Sequence, residues 1–447
     1  MKRFAFEQLK KWKESPNRKP LIIQGARQVG KTWLMKEFGK NEYKNSIYLN
    51  FDENPSYANL FEDSLQPQKI ISLIELLFEQ KIDEQETLII FDEVQEVPRA
   101  LSALKYFCEQ APNYHIICAG SLLGIALHQG TSFPVGKVDF LQLCPLSFNE
   151  FLLATGKEEL VFALDKSFSG QYNAGGVNKS EEKGFFVILL LKHELIEALK
   201  QYYVIGGMPE VVENFAKNTS FKQARAIQSR ILQAYEQDFS KHAPSAVVPK
   251  IRTVFNSVPA QLSKENKKFV YGLLRQGARA KEYETAIMWL CDCAILTKVS
   301  RINAVKKPIK AYADLKAFKL YFLDVGLLSC LCGLDEQTIL EKDALFLEFK
   351  GALSEQFVCQ QLKASGISEF CYYSNDKGSC EVDFVINCAG EVVPIEVKAE
   401  TNLKSKSLKS VHEKFDISHA LRVSMSDYKE ESWLTSVPLY ALESWLS

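Results

Sequence analysis

The chain has 447 residues, 47% of them hydrophobic and 24% charged, the balance of an ordinary folded protein rather than of a disordered chain, a collagen or one long coiled coil. At roughly 150 residues per domain the length suggests about three domains. Lys plus Arg number 54 against 55 Asp plus Glu, a net charge of -1, which excludes a global basic field for nucleic acid but not a local basic patch.

In chain order, the basic start Met1-Lys2-Arg3 is followed by Glu7, Lys10, Lys11 and Lys13, with no apolar core of a signal peptide. The apolar run Phe185 to Leu191 falls far short of the ~20 residues of a membrane-crossing helix. The 11 cysteines are scattered, without a C-x-x-C pair or histidine partners at zinc spacing, and read as reduced core thiols. A cytoplasmic protein without a membrane partner is expected. Leu21 to Gln24, Ser46 to Phe51, Leu88 to Phe91, His115 to Ala119 and Val138 to Leu143 read as buried strands. Ile70 to Lys81 and Arg99 to Gln110 carry helical spacing between them. Alternating strands and helices predict an α/β domain over 1–150 with a parallel sheet covered on both faces.

Gly25-Ala26-Arg27-Gln28-Val29-Gly30-Lys31-Thr32 fits G-x-x-x-x-G-K-[ST] at every fixed position. An apolar strand enters it and an amphipathic helical run (Trp33, Leu34, Met35, Phe38) leaves it. Such a loop curls backbone N–H groups around phosphate oxygens and aims a helix N-terminus at them. Lys31 would reach the β- and γ-phosphates of ATP, and Thr32 would hold Mg²⁺. The strand Leu88 to Phe91 ends in Asp92-Glu93, where Asp92 can meet the Mg²⁺ shell and Glu93 can act as base on the attacking water. Neither a GTPase N-K-x-D motif nor an ABC transporter signature is present. In ATPases with an added central strand a polar residue at its tip contacts the γ-phosphate or the water. Ser121, after Ala119-Gly120, stands at that place, and a helix N-cap or turn is its plain alternative.

With Asp92-Glu93-Val94-Gln95, Ala119-Gly120-Ser121-Leu122, Pro145-Leu146-Ser147-Phe148-Asn149-Glu150-Phe151, Gly206-Gly207-Met208-Pro209-Glu210 and Ile395-Glu396-Val397-Lys398, the chain resembles the AAA-type ATP-binding proteins of bacteria and archaea that carry a C-terminal domain of unknown function. The resemblance covers most of the chain, least over 157–184. It implies ATP binding and hydrolysis, a helical lid and a winged-helix-like middle. Relatives often have an arginine after the glycine that here precedes Lys137, so Gly136-Lys137 departs from an arginine finger at this position.

Residues 151–245 then read as a helical lid with an insertion near 157–184, where Ser167 to Gly184 is polar and Gly-rich. Gly206-Gly207-Met208-Pro209 reads as punctuation between two helices. Residues 246–335 predict a winged-helix-like module: a helix over Tyr283 to Ala294, then strands over Ala294 to Ile302 and Phe318 to Leu323. From Lys298 to Lys319, across the strand ends and the loop between them, the chain carries Lys298, Arg301, Lys306, Lys307, Lys310, Lys316 and Lys319, with Asp314 the one acid. It is either a wing that touches DNA phosphates or an ordinary solvated hairpin.

In 336–447, Val382 to Asn387 and Val392 to Lys398 alternate as a hairpin. If Asn387 pairs with Val392, then Asp383 faces Glu396 and Glu381 faces Lys398 on one side. Val382, Phe384, Ile386, Val393, Ile395 and Val397 form a core on the other. Asp followed by E-x-K on the adjacent strand is the arrangement of restriction-endonuclease-like nucleases, where the acids bind Mg²⁺ and the lysine orients water. Asp383 and Glu396 are then metal ligands, Lys398 the catalytic lysine, and Glu355, on the helical run Leu353 to Leu362, a further acid. The alternative is a polar sheet face that neutralises itself. Two functions follow: an ATPase coupled to a nucleic-acid task with a C-terminal nuclease site, or a regulatory ATP-driven switch that binds a protein partner and carries an inactive nuclease-like domain. A homo-oligomer is compatible with both.

Overall fold

The computed structural model describes all residues except 121–132, 169–181, 335–346, 368, 377, 389 and 400–404, and the side chains of 182–186 and 347–349. Five strands, β1 (Leu21–Gln24), β2 (Asn45–Asn50), β3 (Thr87–Asp92), β4 (His115–Ala119) and β5 (Asp139–Gln142), make a parallel sheet in the order β2-β3-β4-β1-β5. Strand β4 is thus inserted between β3 and β1. The helices of this unit are α1 (Ala5–Glu14), α2 (Lys31–Glu42), α3 (Pro67–Phe78) and α4 (Pro98–Gln110). Proline at the first turn opens α3 and α4, where the missing N–H would have no helical partner anyway.

The sheet is covered on both faces, as the near-continuous apolar strands predict. Ile47, Leu49, Ile89, Phe91 and Ile116 pack with Ile70, Ile74, Leu104 and Phe107 of α3 and α4 in one core. The other face takes α2: a Cβ on Gly39 would lie 2.9 Å from the Ser46 Cβ, so only glycine lets this helix sit directly on β2. Phe38, fully buried beside it, contributes about 2–3 kcal/mol by leaving water.

The chain divides by contact into two units, one of Lys2–Cys144 with Asp292–Ile295, the other of Pro145–Cys291 with Leu296–Ser447 and Met1. The second unit begins with helices α5 (Phe148–Ala154), α6 (Glu158–Phe168), α7 (Glu182–Ile205), α8 (Pro209–Asn218), α9 (Phe221–His242), α10 (Val248–Leu262) and α11 (Ala280–Asp292). Strands β6 (Leu296–Ile302) and β7 (Ala313–Phe322) form an antiparallel hairpin, followed by α12 (Val325–Leu331) and α13 (Leu347–Ala364). Next come β8 (Phe370–Ser374), β9 (Glu381–Cys388), β10 (Glu391–Val397), α14 (Lys406–Phe415), β11 (Ala420–Ser424), β12 (Lys429–Glu430), β13 (Leu434–Pro438) and α15 (Leu442–Leu446). All the strands from β6 onward join one sheet, β12-β13-β11-β10-β9-β8-β6-β7. The hairpin expected to be a free wing is therefore continuous with the C-terminal strands, through parallel pairing of β6 with β8.

The Gly206-Gly207 turn is more than punctuation. The Gly207 N–H donates to Asp324 Oδ2 at 2.6 Å, and the Leu146 N–H to the Gly207 carbonyl at 2.6 Å. A Cβ on Gly207 would stand 2.1 Å from the Leu146 carbonyl oxygen, a backbone atom that cannot swing aside. Gly207→Ala should therefore cost about 3 kcal/mol, the upper part of the usual overpacking range, read as a lower urea midpoint at constant slope. An unchanged midpoint would mean that the Leu146 segment yields freely.

The start of α5 is built by four side-chain acceptors, one of them Gln361 Oε1, which accepts from the Phe148 N–H at 3.0 Å. Ser147 and Glu150 form a reciprocal capping box. Glu443 of α15 accepts from the Asn149 N–H at 2.9 Å. Burial, with Glu150 and Asp165 nearby, pushes the Glu443 carboxyl up to about 8, against the hydrogen bonds from Ser147 and Asn149. A carboxyl raised on folding binds its proton more tightly in the native state, so its contribution is lost as pH rises from the ordinary carboxylate range through about 8. Glu443→Gln keeps an acceptor but cannot ionise. Its stability relative to wild type should improve between pH 5 and pH 9 (about the span of the shift) in urea titrations. A constant difference across that range would remove Glu443 as the titrating group.

Candidate functional site

The phosphate loop leaves β1 and enters α2. Gly25 has φ 153°, Gln28 φ 65° and Gly30 φ 93°, so the loop needs left-handed backbone at several points. A Cβ on Gly25 would lie 2.3 Å from the Leu143 carbonyl oxygen, which explains the first glycine. Ala26 and Val29 are buried, Arg27 is half-buried and Gln28 exposed. Lys31 is buried, and its Nζ donates to the carbonyls of Gly25 at 2.9 Å and Ala26 at 2.8 Å. Burial lowers the Lys31 ammonium to about 8, although Glu93 and Asp92 pull the other way.

The neighbouring strand tips converge on this loop. The Thr32 hydroxyl donates to Asp92 Oδ2 at 2.6 Å, which brings together the two oxygens expected to hold Mg²⁺. The Tyr48 hydroxyl donates to the same oxygen at 2.9 Å, and the Glu93 N–H to Asp92 Oδ1 at 3.1 Å. Asp92 is 2% exposed, so its charge is held by these donors rather than by water. Glu93 has left-handed backbone at φ 51° and accepts from the Gln95 amide at 2.7 Å. Ser121 lies outside the described residues. Lys137 pairs with Glu109 at 2.9 Å.

Two residues of this unit escaped the sequence reading. Arg3 is buried and donates to the carbonyls of Val29 at 3.0 Å and Cys144 at 2.7 Å, holding the phosphate loop from behind. Tyr48 positions Asp92, with the Lys36 ammonium 3.6 Å from its ring centroid. Arg3 lies 22 residues from the loop and carries no motif, so no local signal marks it. Tyr48 was visible only as one residue of an apolar strand.

In the second unit the hairpin register is the one expected, with Val392 opposite Asn387 and Ile395 opposite Phe384. The expected division of faces needs correction. Between the pairs Cys371–Val385 and Tyr373–Val382, β9 takes one residue more than β8, a bulge at Asp383-Phe384. Val382 and Val385 thus share a core with Tyr373 and Val392. Phe384 turns instead toward Tyr321 and Phe370, at ring-centroid distances of 5.5 and 5.9 Å.

Glu355 of α13, Glu381 and Asp383 of β9, and Glu396 and Lys398 at the end of β10 do gather, but around a residue assigned to the wing. Lys319 of β7 is fully buried, with its Nζ 2.6 Å from Glu381, 3.6 Å from Glu355 and 3.9 Å from Asp383. Lys267 pairs with Glu355 at 2.6 Å, and the Tyr321 hydroxyl donates to Glu355 at 2.9 Å. Asp383 accepts from the Val397 N–H at 2.8 Å. Lys398 pairs with Glu396 at 2.8 Å, and Glu396 Oε2 is buried without a hydrogen-bond donor. Burial alone would lower the Lys319 ammonium, but Glu355, Asp383 and Glu381 outweigh it and hold it above its ordinary value. Burial and the adjacent Glu355 push the Asp383 carboxyl up to about 7. Burial also acts upward on Glu355, yet Lys319 and Lys267 hold it down to about 2.

These residues do not fit a divalent metal: an ammonium already stands among the carboxylates. Among the described residues no group of three or more His, Cys, Asp or Glu side chains is arranged to hold a metal ion. The rest of the basic stretch is also largely engaged. Arg301 pairs with Asp314 at 2.7 Å, Lys310 with Glu369, Lys307 with the Gly390 carbonyl, and Lys298 lies 4.6 Å from the Phe318 ring centroid. Lys306 and Lys316 are exposed. Lys298, Lys307 and Lys310 are exposed as well, so theirs are surface contacts. Among the described residues no helix is long and apolar enough to cross a membrane.

Residues 17–152 match the family model of an AAA domain. Residues 196–338 and 350–442 match two domains of unknown function, DUF8612 and DUF4143. Among solved structures, a Walker-type ATPase of Pyrococcus abyssi is 14% identical over 73% of this chain and 95% of that one, at TM-score 0.41. An ORC1 protein of Aeropyrum pernix in complex with DNA is 10% identical over 74% and 90%, at TM-score 0.25. AMPPCP-bound DnaA from Aquifex aeolicus is 15% identical over 65% and 86%, at TM-score 0.24. No curated protein matches the chain.

Proposed function

We propose that this chain, whose N-terminal part is an AAA-type P-loop ATPase domain, is an Mg²⁺-dependent ATP-hydrolysing switch that acts on a protein partner. The observation that carries ATP hydrolysis is the convergence of Lys31, the Thr32–Asp92 contact at 2.6 Å and Glu93 at adjoining strand tips. The backbone of residues 25 to 32 would wrap the phosphates. Lys31 would give up its two carbonyl partners for phosphate oxygens. Thr32 and Asp92 would hold Mg²⁺, which neutralises charge that builds on the phosphoryl group. Glu93 would take the proton of the attacking water, and Ser121, two residues on in sequence from the end of β4, would orient that water or the γ-phosphate.

The C-terminal segment has the order helix, three antiparallel strands, helix and parallel strand, from α13 through β8, β9 and β10 to α14 and β11. This order, with Glu355, Asp383, Glu396 and Lys398 gathered on it, supports a nuclease-like fold over 336–447. Helix α11 with the β6–β7 hairpin supports a winged-helix-like module over 246–335, and the helices of 151–245 a lid. The lysine inside the acid cluster and the paired wing cations favour the switch over a nucleic-acid task with cleavage. Leu189 and Leu190 of α7, 54% and 68% exposed, suit a protein partner better than a polyanion.

The test is ATP turnover of the full chain with and without DNA, across a salt series. Turnover indifferent to DNA supports the switch. Turnover stimulated by DNA, with affinity that falls steeply with salt, would establish the nucleic-acid task instead.

A further inference from the structure

We infer that Lys319 is the resident cation of the C-terminal acid cluster. Its ammonium takes the place a divalent metal would fill, ties the β6–β7 hairpin to β9 and α13, and keeps Mg²⁺ and Mn²⁺ out. This inference is independent of the ATPase reading, because it concerns a different unit and a different ion.

The geometry carries it. Three carboxylates from two elements lie within 4.0 Å of one ammonium, at 2.6, 3.6 and 3.9 Å. A metal bound to the same oxygens would need oxygen contacts of about 2.0–2.6 Å on all sides, and the ammonium already occupies that space. A surface lysine could swing away to admit a metal. Lys319 cannot, because its strand neighbours Phe318, Leu320, Tyr321 and Phe322 are all buried and the side chain is fully enclosed. The Tyr372 ring closes another side, 4.9 Å from the ammonium. Lys267 and Lys398 neutralise Glu355 and Glu396 from the flanks, so four carboxylates face three ammonium groups. The cluster retains only a small excess of negative charge with which to attract a dication.

The arrangement also gives Lys319 a second consequence. Glu381 and Asp383 belong to β9, Glu355 to α13 and Lys319 to β7, the edge strand of the sheet. Buried ion pairs of this kind contribute little net stability when complete, but removal of one partner strands the others in a poor solvent. The lysine is thus a lock whose loss is felt in the fold and whose place a metal can take only after it has gone.

The experiment titrates Mn²⁺ into the nucleotide-free full-length chain and follows melting temperature. Lys31→Ala is present in every protein, so the phosphate loop does not contribute. The background protein should show no saturable rise up to millimolar Mn²⁺. Adding Lys319→Met should lower the metal-free melting temperature by roughly 5–15 °C and create a saturable Mn²⁺-dependent rise. Combining Lys319→Met with Asp383→Asn should recover part of the metal-free loss and remove the Mn²⁺ response. Three results would overturn the inference: saturable Mn²⁺ stabilisation of the background protein that Asp383→Asn abolishes, a Lys319→Met protein as stable as its parent, or a destabilised one that Mn²⁺ does not rescue. If Lys319→Met alone does not fold, the background protein, Asp383→Asn and the double variant still decide.

Discussion

Lys31→Ala should reduce ATP affinity by about 100-fold or more. In the phosphate loop the Lys31 ammonium is buried and satisfied by the Gly25 and Ala26 carbonyls, at 2.9 and 2.8 Å. Both partners are neutral, so phosphate oxygens offer it a stronger interaction. A hydrogen bond to a charged group is worth about 1.5–3 kcal/mol, and two of them account for the expected loss. Calorimetry with a non-hydrolysed ATP analogue measures this directly, and an unchanged dissociation constant would sink the phosphate-loop assignment. The same lysine predicts a proton linkage. Burial has lowered it to about 8, and phosphate charge will raise it. Above that pH the free loop has lost the proton that the complex retains, so binding should take up a proton. Calorimetry in buffers of different ionisation enthalpy should show the uptake in wild type and not in Lys31→Ala.

The N-terminal unit was legible because its chemistry and its fold share the same few residues. Strand, glycine loop and helix are contiguous in sequence, and β3 is buried at all six positions, so its apolar run needed no partner to be recognised. Of the strand order, only the added central place of the strand before Gly120-Ser121 was expected; the rest comes from the structure. What stayed hidden were contacts made across long separations. Arg3 reaches Val29 and Cys144, and Tyr48 reaches Asp92, and neither pairing leaves a spacing in the sequence.

The second unit shows the opposite balance. Period-two alternation and a short turn gave the β9–β10 register correctly. The same periodicity misplaced Phe384, because a bulge adds one residue and alternation cannot register it. Lys319 was counted among exposed wing lysines since nothing in a single sequence separates a buried lysine from a solvated one. The only hint lay in its company: Phe318, Leu320, Tyr321 and Phe322 make a continuous apolar stretch, a pattern of strands buried on both faces. A charge inside such a stretch must find counter-charges, and Glu355, Glu381 and Asp383 are those it finds.

Glu93→Gln should leave ATP binding intact while turnover falls by about 10²–10⁴-fold, the usual contribution of a positioned general base. The residue sits just beyond Asp92 at the tip of β3, with its backbone in the left-handed region at φ 51°. That conformation costs a non-glycine residue of order 1–3 kcal/mol, and asparagine or glycine would adopt it more readily. A plain turn therefore has no reason to hold glutamate there. The carboxylate is aimed as well as strained, since the Gln95 amide donates to its Oε2 at 2.7 Å. Glutamine keeps the length of the side chain and one oxygen acceptor for Gln95, so the turn should survive the change. It cannot take a proton from water. Parallel measurement of nucleotide affinity and steady-state phosphate release separates the two effects. Equal loss of affinity and turnover would point to a collapsed loop. Turnover at the wild-type level would make Glu93 a structural acid and move the base to another side chain, with Asp92 excluded by the Thr32 and Tyr48 donors that already hold its oxygen.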